Sequence, residues 1–367
     1  MSQTVSQKSR AKKFKPLGII FAVLGLALFA YFVEKTGVTE IVEGIKRLGA
    51  GFVIVLAFAG VRKLVRVWAW MRCFEDRESL RFSDAFKAML VGDALGNLMP
   101  LGIVVSEPTK AAFVRKRVPL ISSLSALAIE NLFYSLSVII FIVCGMATLL
   151  LSFPLPRLLR YASIGWLIGT AVILPAAYFV IRRQWRFLSG ALDFLYGRGI
   201  GKRLLETRRE RVRSLEDRVY GFYARNRSRF LPIFLLEACF HLSGVLEAYV
   251  TLSFISTRLA PTLLMAFMFE SVNRVINVVF KFVPLRTGVD EAFTGPLAKL
   301  LQFGSATGVT LAIIRKARDI CWTAPGIILL IHRGLSVRHA AEETEGIIET
   351  ELNSPRAAQT VAASETR

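Results

Sequence analysis

Apolar residues run in long unbroken stretches along this chain, separated by clusters of Lys and Arg. Residues 17–33 hold no charge and follow Pro16. Residues 161–181 hold none between Arg160 and Arg182, and between Arg117 and Arg157 the only charge is Glu130. A helix needs about 20 residues to cross a hydrocarbon layer about 30 Å thick, and each stretch meets that length. Further apolar runs from about residue 51, at 230–257 and at 307–331 bring the expectation to about six spanning helices.

Two segments break this pattern. In residues 82–117 the apolar run is interrupted by Asp93, Gly96, Asn97, Pro100, Gly102 and Glu107. A full crossing would carry Lys110, Arg115, Lys116 and Arg117 to the outer side, against the positive-inside rule, so the segment is expected to dip in and return as a re-entrant hairpin. Residues 261–304 repeat the character, with Glu270, Asn273, Arg274, Asn277, Lys281, Pro284, Arg286, Gly288, Asp290 and Glu291 in or beside apolar sequence. Proline to glutamate is seven residues in both, Pro100 to Glu107 and Pro284 to Glu291, and a span with a charge near its middle follows each, Glu130 and Arg315. The topology has the hairpins enter from opposite sides. The expected fold is therefore an all-α integral membrane protein of about six spanning helices and two re-entrant helical hairpins arranged as an inverted repeat.

Composition agrees: 54% of the 367 residues are hydrophobic, above the roughly 45–50% of soluble domains. The net charge of +20 sits at the ends of apolar runs and reads as topology, not as a nucleic-acid-binding face. It places a basic tail (1–15) in the cytoplasm, then a transmembrane domain (16–333), then a polar tail (334–367) expected to be disordered and cytoplasmic. The first half of the domain is 16–181 and the second 230–333. Between them, residues 182–229 carry 14 Lys/Arg against 5 Asp/Glu, with Leu204, Leu205, Val212, Leu215, Val219 and Phe222 at helical spacing. That suggests an amphipathic helix on the inner surface of an inner membrane, in contact with anionic lipids. The first apolar run is read as an uncleaved span. Arg62, Lys63, Arg66, Trp68, Trp70 and Arg72 read as an anchor where the second helix meets the headgroups.

An ionisable residue at membrane depth costs roughly 2.5–3.5 kcal/mol, so it is functional unless paired. Ser106 and Asp290 are candidate N-caps of short helices beginning at the two breaks, whose free N–H groups would suit a lipid phosphate. The expected substrate-binding set is Asn97, Ser106, Glu107, Glu130, Arg274, Asn277, Lys281, Glu291 and Arg315, with Pro100, Gly102, Pro284 and Gly288 as the structural breaks. Structural alternatives stand beside it: ion pairs Arg315–Asp319 and Glu270–Arg274 at four-residue spacing, interhelical hydrogen bonding for Glu130 and the asparagines, and packing for Glu237 and His241. The four cysteines are far apart, residues 197–202 lack the pattern of a phosphate-binding loop, and no nucleophile and base come together, so no metal, cofactor or catalytic residue is expected.

The motifs Asn97-Leu-Met-Pro100, Ser106-Glu-Pro-Thr-Lys-Ala-Ala-Phe-Val-Arg115, Ala128-Ile-Glu130-Asn, Pro284-Leu-Arg-Thr-Gly288-Val-Asp-Glu291-Ala and Ala312-Ile-Ile-Arg315 together resemble the flippase-like transmembrane region of lysylphosphatidylglycerol synthases and its stand-alone relatives, including hopanoid-associated membrane proteins. The likeness covers about residues 16–333. It departs at residues 103–106, where the family has a glycine-rich turn, and at Asn131, where it has Arg. The resemblance implies a translocase that binds a phospholipid or polyprenyl-lipid headgroup in a midplane cavity. Without a soluble aminoacyl-transfer domain, lysine transfer is not expected. The alternatives are a non-transporting accessory subunit of a membrane glycosyltransferase or lipid-modifying enzyme, alone or as a homo-oligomer, and an enzyme using Glu107 with Glu130.

Overall fold

A computed structural model describes residues 38–74, 80–98, 102–155, 157–182, 216–281 and 283–332, with positions 31, 34, 190 and 198. The expected span at 17–33, Pro100, most of the basic loop and both tails lie outside the described residues. Among the described residues all regular structure is helical. The first half contains α1 (Val38–Leu48), α2 (Gly51–Arg72), α3 (Phe82–Leu98), α4 (Gly102–Val114), α5 (Leu120–Ser152) and α6 (Arg157–Arg182). The second contains α7 (Phe230–Ile255), α8 (Leu263–Val279), a 3₁₀ turn at Pro284–Arg286, α9 (Val289–Leu300) and α10 (Ser305–His332). Two helical stretches, Leu120–Ser152 and Arg227–Ile255, are by themselves long and apolar enough to cross a membrane. Residues Ile41–Leu48 with Gly51–Arg72, bent by 78° between them, make a third if the pair is one span. At 1.5 Å per residue α5 is about 50 Å long, ample for the hydrocarbon layer.

From α2 and α7 onward the two halves run through matching elements. A 17-residue helix, α3 or α8, is followed by a break and a short helix, α4 of 13 residues or α9 of 12. A long helix follows, α5 of 33 residues or α10 of 28. The packing is reciprocal: α10 of the second half lies on α3 of the first, and α5 of the first lies on α8 of the second, while α2 and α7 run against each other. Glycines permit these approaches. A side chain at Gly326 would strike the Leu90 carbonyl and Ala94 of α3, and one at Gly145 would strike Ser271 of α8. Helices in lipid associate through such small-residue contacts because no hydrophobic difference drives them together.

The polarity of the bundle is inverted relative to a soluble protein. Val53, Leu151, Ile168, Leu231, Ile328 and Ile331 are exposed on its outside, whereas Glu130, Glu237, Glu247, Glu270, Arg274 and Arg315 are buried. One apolar cluster gathers Val67, Trp70, Phe133, Phe222 and Ile233; another gathers Leu48, Val55, Leu252, Phe269, Leu301 and Leu311. Along α2 the order is Val55, then Arg62 to Arg66, then Trp70. Along α7 it is Ile233, then Glu237 to Glu247, then Leu252. The charges thus form a layer sealed at both ends by apolar packing. Residues 216–225, the described end of the basic loop, are helical, and Phe222 is fully buried in the first cluster instead of facing lipid.

The second break is built on unusual backbone. Leu285 and Arg286 both have φ of 49°, and Gly288, the N-cap of α9, has φ of 81°. This left-handed value is open to glycine and costly for other residues. Gly288→Ala is expected to lose about 1–2 kcal/mol, read as a lower midpoint of thermal unfolding in detergent.

Candidate functional site

The bundle holds a partly open cavity of about 170 Å³ lined by Ala59, Arg62, Lys63, Arg66, Met89, Asp93, Asn97, Phe240, Arg318, Asp319 and Trp322. Arg62, Lys63 and Arg66 lie close to one face of α2, since positions four apart on a helix are neighbours. They correct the anchor reading: these side chains do not meet headgroups at a helix end but point into the interior. Trp70 is likewise fully buried, and only Trp68 of that group's tryptophans is exposed.

Each cation has a carboxylate behind it. Lys63 Nζ is 2.8 Å from Asp93 Oδ2, and Lys110 Nζ is 3.3 Å from Asp93 Oδ1 and 3.0 Å from Glu107 Oε1. Arg66 grips Glu130, donating from Nε at 2.8 Å and from an Nη at 2.6 and 2.9 Å. Arg62 lies 3.3 Å from Glu247 and 3.8 Å from Glu270. Glu247 also takes Arg318, and Glu270 takes Arg274 and, at 3.0 Å, Arg315. Arg318 reaches Asp319 at 2.7 Å, Asp319 reaches Arg286 at 3.3 Å, Arg286 reaches Asp290 at 3.3 Å, and Lys316 joins Asp290 at 3.4 Å to Glu291 at 2.6 Å. From Arg62 to Glu291 this is one connected chain of ion pairs through α2, α7, α8, α9 and α10. Phe240 packs against it with the guanidinium carbons of Arg62 and Arg274 4.6 and 4.8 Å from its ring centroid, a cation–π contact strengthened by desolvation. Arg66 lies 4.3 Å over Tyr134 in the same way.

Of the residues expected at the site, Asn97 alone lines the cavity, its amide donating to Thr323 Oγ1 at 3.0 Å. Glu130 acts from behind, through Arg66, as do Arg274 and Arg315 through Glu270. Glu107 is reached through Lys110 and Asp93. Lys281 is exposed beside the second break, and Asn277 is spent on the Asn273 carbonyl of its own helix at 2.7 Å. The expected caps are corrected. Helix α4 begins at Gly102, so Ser106 sits buried inside it. Helix α9 is capped at Gly288, whose N–H is taken by Glu291 Oε2 at 2.9 Å. With Asp290 and Glu291 both in its first turn, that helix end already has its negative charge and offers no seat to a phosphate. Arg315 and Asp319 do not pair; each finds a partner on another element. Pro284 opens the 3₁₀ turn. Among the described residues no group of His, Cys, Asp and Glu is arranged to hold a metal.

Asp93 stood among the interrupting residues and Asp319 was weighed only against Arg315; Arg62, Lys63, Arg66 and Arg318 were missed as lining. Their signal was position. Arg62 to Arg66 fall in the middle of a 22-residue helix, and Arg315, Lys316, Arg318 and Asp319 in the middle of a 28-residue one. Charges that far from either interface require interior partners.

Residues 17–324 match the family described as lysylphosphatidylglycerol synthase TM region. The chain belongs to that family. No curated protein and no solved structure matches it. As a lysylphosphatidylglycerol synthase TM region it is a helical membrane domain, in keeping with its apolar exterior, and the cavity lies within the matched residues.

Proposed function

We propose that this chain is a lipid translocase in which a phosphate-bearing headgroup enters the central cavity while the acyl chains stay in lipid. One observation carries the reading: a cavity inside the helical bundle of this membrane family is walled by Arg62, Lys63, Arg66 and Arg318 against only Asp93 and Asp319. Its volume of about 170 Å³ is below the ~300–1,000 Å³ of sites that enclose a whole ligand, which suits a headgroup and a few waters. In this reading the matching order α2 to α5 and α7 to α10, with its reciprocal packing, belongs to an inverted repeat. The interrupted helices are re-entrant hairpins, the spans number about six with 17–33, and both termini lie on the cytoplasmic side of an inner membrane. Such repeats place a substrate site at their interface, and alternate access arises by rocking one half against the other.

Lys63 is the cation best placed to receive the phosphate. Its ammonium has three donors, Asp93 is its paired acceptor, and this pair is among the more exposed in the network. In liposomes containing fluorescent phosphatidylglycerol, Lys63→Gln is expected to slow protein-dependent movement between leaflets by about 10–100-fold, the worth of one charge-assisted hydrogen bond. Lys299→Gln, exposed at the end of α9, is expected to leave the rate unchanged. No movement by the wild-type protein overturns the reading.

A further inference from the structure

Glu237 on α7 is fully buried, and neither of its carboxyl oxygens has a hydrogen-bond partner. The charged groups around it are Glu130 from α5, Arg66 from α2 and Arg274 from α8, and the titratable Cys73 thiol at the end of α2 also faces it. His241, one turn on, is engaged elsewhere through one nitrogen: Nε2 meets Ser137 Oγ at 3.0 Å and the ring stacks on Phe141 at 4.6 Å, while Nδ1 is buried without a partner. Farther along α7, Arg62 and Arg318 are held by Glu247. An ionised carboxylate with no donor in a dry interior is very costly, so the arrangement suits the neutral acid. The Arg274 guanidinium interacts electrostatically with Glu237, and its Nε is also buried and without an acceptor, a donor available to the ionised form.

The second observation is the charge balance of the interior. Among the described residues, the ion pairs joined through the cavity wall, which range from fully buried to part-exposed, contain one more Lys or Arg than carboxylate. Within these pairs one positive charge is left over when Glu237 is neutral, and none when it is ionised. A membrane interior does not tolerate a surplus charge cheaply. Two agents can cancel it, a monoanion in the cavity or Glu237 itself, and with both present the interior would be one charge negative.

We propose that Glu237 is a proton-carrying group that couples the cavity to protons: it is protonated when a phosphodiester monoanion is bound and ionised when it is not. The O–H bond forms on the Glu237 carboxylate with a proton from bulk water on the side to which the cavity is open, and breaks to return that proton to water when the anion leaves. No other reactant is needed. Anion and proton thus bind together, which supplies translocation with a driving force. This inference rests on the phosphate reading of the cavity above.

The test is binding of dihexanoyl phosphatidylglycerol and of dimethyl phosphate, two diesters that stay monoanionic, to the full-length protein in detergent. Wild-type affinity is expected to weaken as pH rises, approaching about tenfold per pH unit. Calorimetry in buffers of different ionisation enthalpy is expected to show one proton taken up per anion bound. Glu237→Gln, close in shape and fixed as neutral, is expected to bind tightly with no slope, and Glu237→Asp to keep the slope. A slope with dimethyl phosphate assigns recognition to the diester alone, and a slope only with the lipid assigns it to the headgroup on its chains; both support the coupling. Binding by the wild type without proton uptake overturns the coupling and leaves the phosphate reading standing. So does a slope lost in His241→Gln but kept in Glu237→Gln. No binding of either diester at any pH overturns both.

Discussion

Glu270→Gln is expected to lose about 3–5 kcal/mol of stability, enough to unfold a large part of a population whose whole margin is about 5–15 kcal/mol. The carboxylate is 1% exposed and is the meeting point of three helices' cations. Arg274 of its own helix donates to Oε1, Arg315 of α10 donates to Oε2 at 3.0 Å, Asn273 donates to Oε2 at 3.2 Å, and Arg62 of α2 stands 3.8 Å away. Gly244 on α7 makes room for it, since a Cβ there would come within 2.6 Å of Oε1. Glutamine keeps the volume but removes the charge and turns an N–H₂ toward guanidinium groups that can only donate. Buried cations are then left facing one another. The surface pair Arg47–Glu43, at 3.1 Å with both partners exposed, is the contrast: Glu43→Gln is expected to cost under about 1 kcal/mol. Thermal unfolding followed by tryptophan fluorescence in detergent separates the two. Removing a cation with the carboxylate, as in Glu270→Gln with Arg315→Met, is expected to recover part of the loss, which a double-mutant cycle reads directly. Equal small losses in Glu270→Gln and Glu43→Gln would show that the interior charges are hydrated and that the network does not hold the helices.

The same network explains which features were legible in the sequence. Membrane character and the long helices were plain, because lipid demands continuous apolar runs and α5 and α7 have them. The second break was plain too, since proline and glycine interrupt apolar sequence at 284–288 for reasons local to the backbone. Partner choice was legible only in part: the pair Glu270–Arg274 forms at its four-residue spacing. Arg315 lies one turn from Asp319, and helical spacing alone pairs them, but Glu270 on α8 captures the arginine while Arg318 and Arg286 capture the aspartate. Only tertiary packing decides between a neighbour on the same helix and a carboxylate on another. Arg62, Lys63 and Arg66 were misread for a related reason: a basic, aromatic stretch has the composition of an interfacial anchor, and its depth follows from where α2 begins and ends. Glu237 was read as packing, and its sequence context gives no sign that both oxygens lack donors. Short helices at breaks suggest an anion site at their N-termini, yet α9 fills its own with Glu291, and the cavity's cations come from α2 and α10.

Replacing Gly326 with valine is expected to detach one half of the bundle from the other, with a loss of about 1–3 kcal/mol or more from overpacking and, on the proposed function, with lipid movement abolished even in protein that remains folded. Helix α10 touches both interrupted segments through glycine. Gly308 in its first turns faces the Thr294 carbonyl and Ala298 of α9, and Gly326 near its end faces the Leu90 carbonyl and Ala94 of α3. In each case a backbone carbonyl and an alanine four residues later form the seat, so backbone must move to admit a side chain. The two contacts differ in what they join. Gly308 holds α10 to its own half, and Gly326 holds it to α3, which carries Asp93 and Asn97 into the cavity opposite Arg318 and Asp319 of α10. Widening the α3–α10 contact therefore separates the cavity's walls, whereas widening the α9–α10 contact leaves them in place. Gly308→Val is expected to match Gly326→Val in lost stability while keeping a larger share of phosphodiester binding. Thermal unfolding and dihexanoyl phosphatidylglycerol titration on the same preparations make the comparison. Equal loss of binding in the two variants would mean that the cavity depends on the bundle as a whole and not on the seam between its halves.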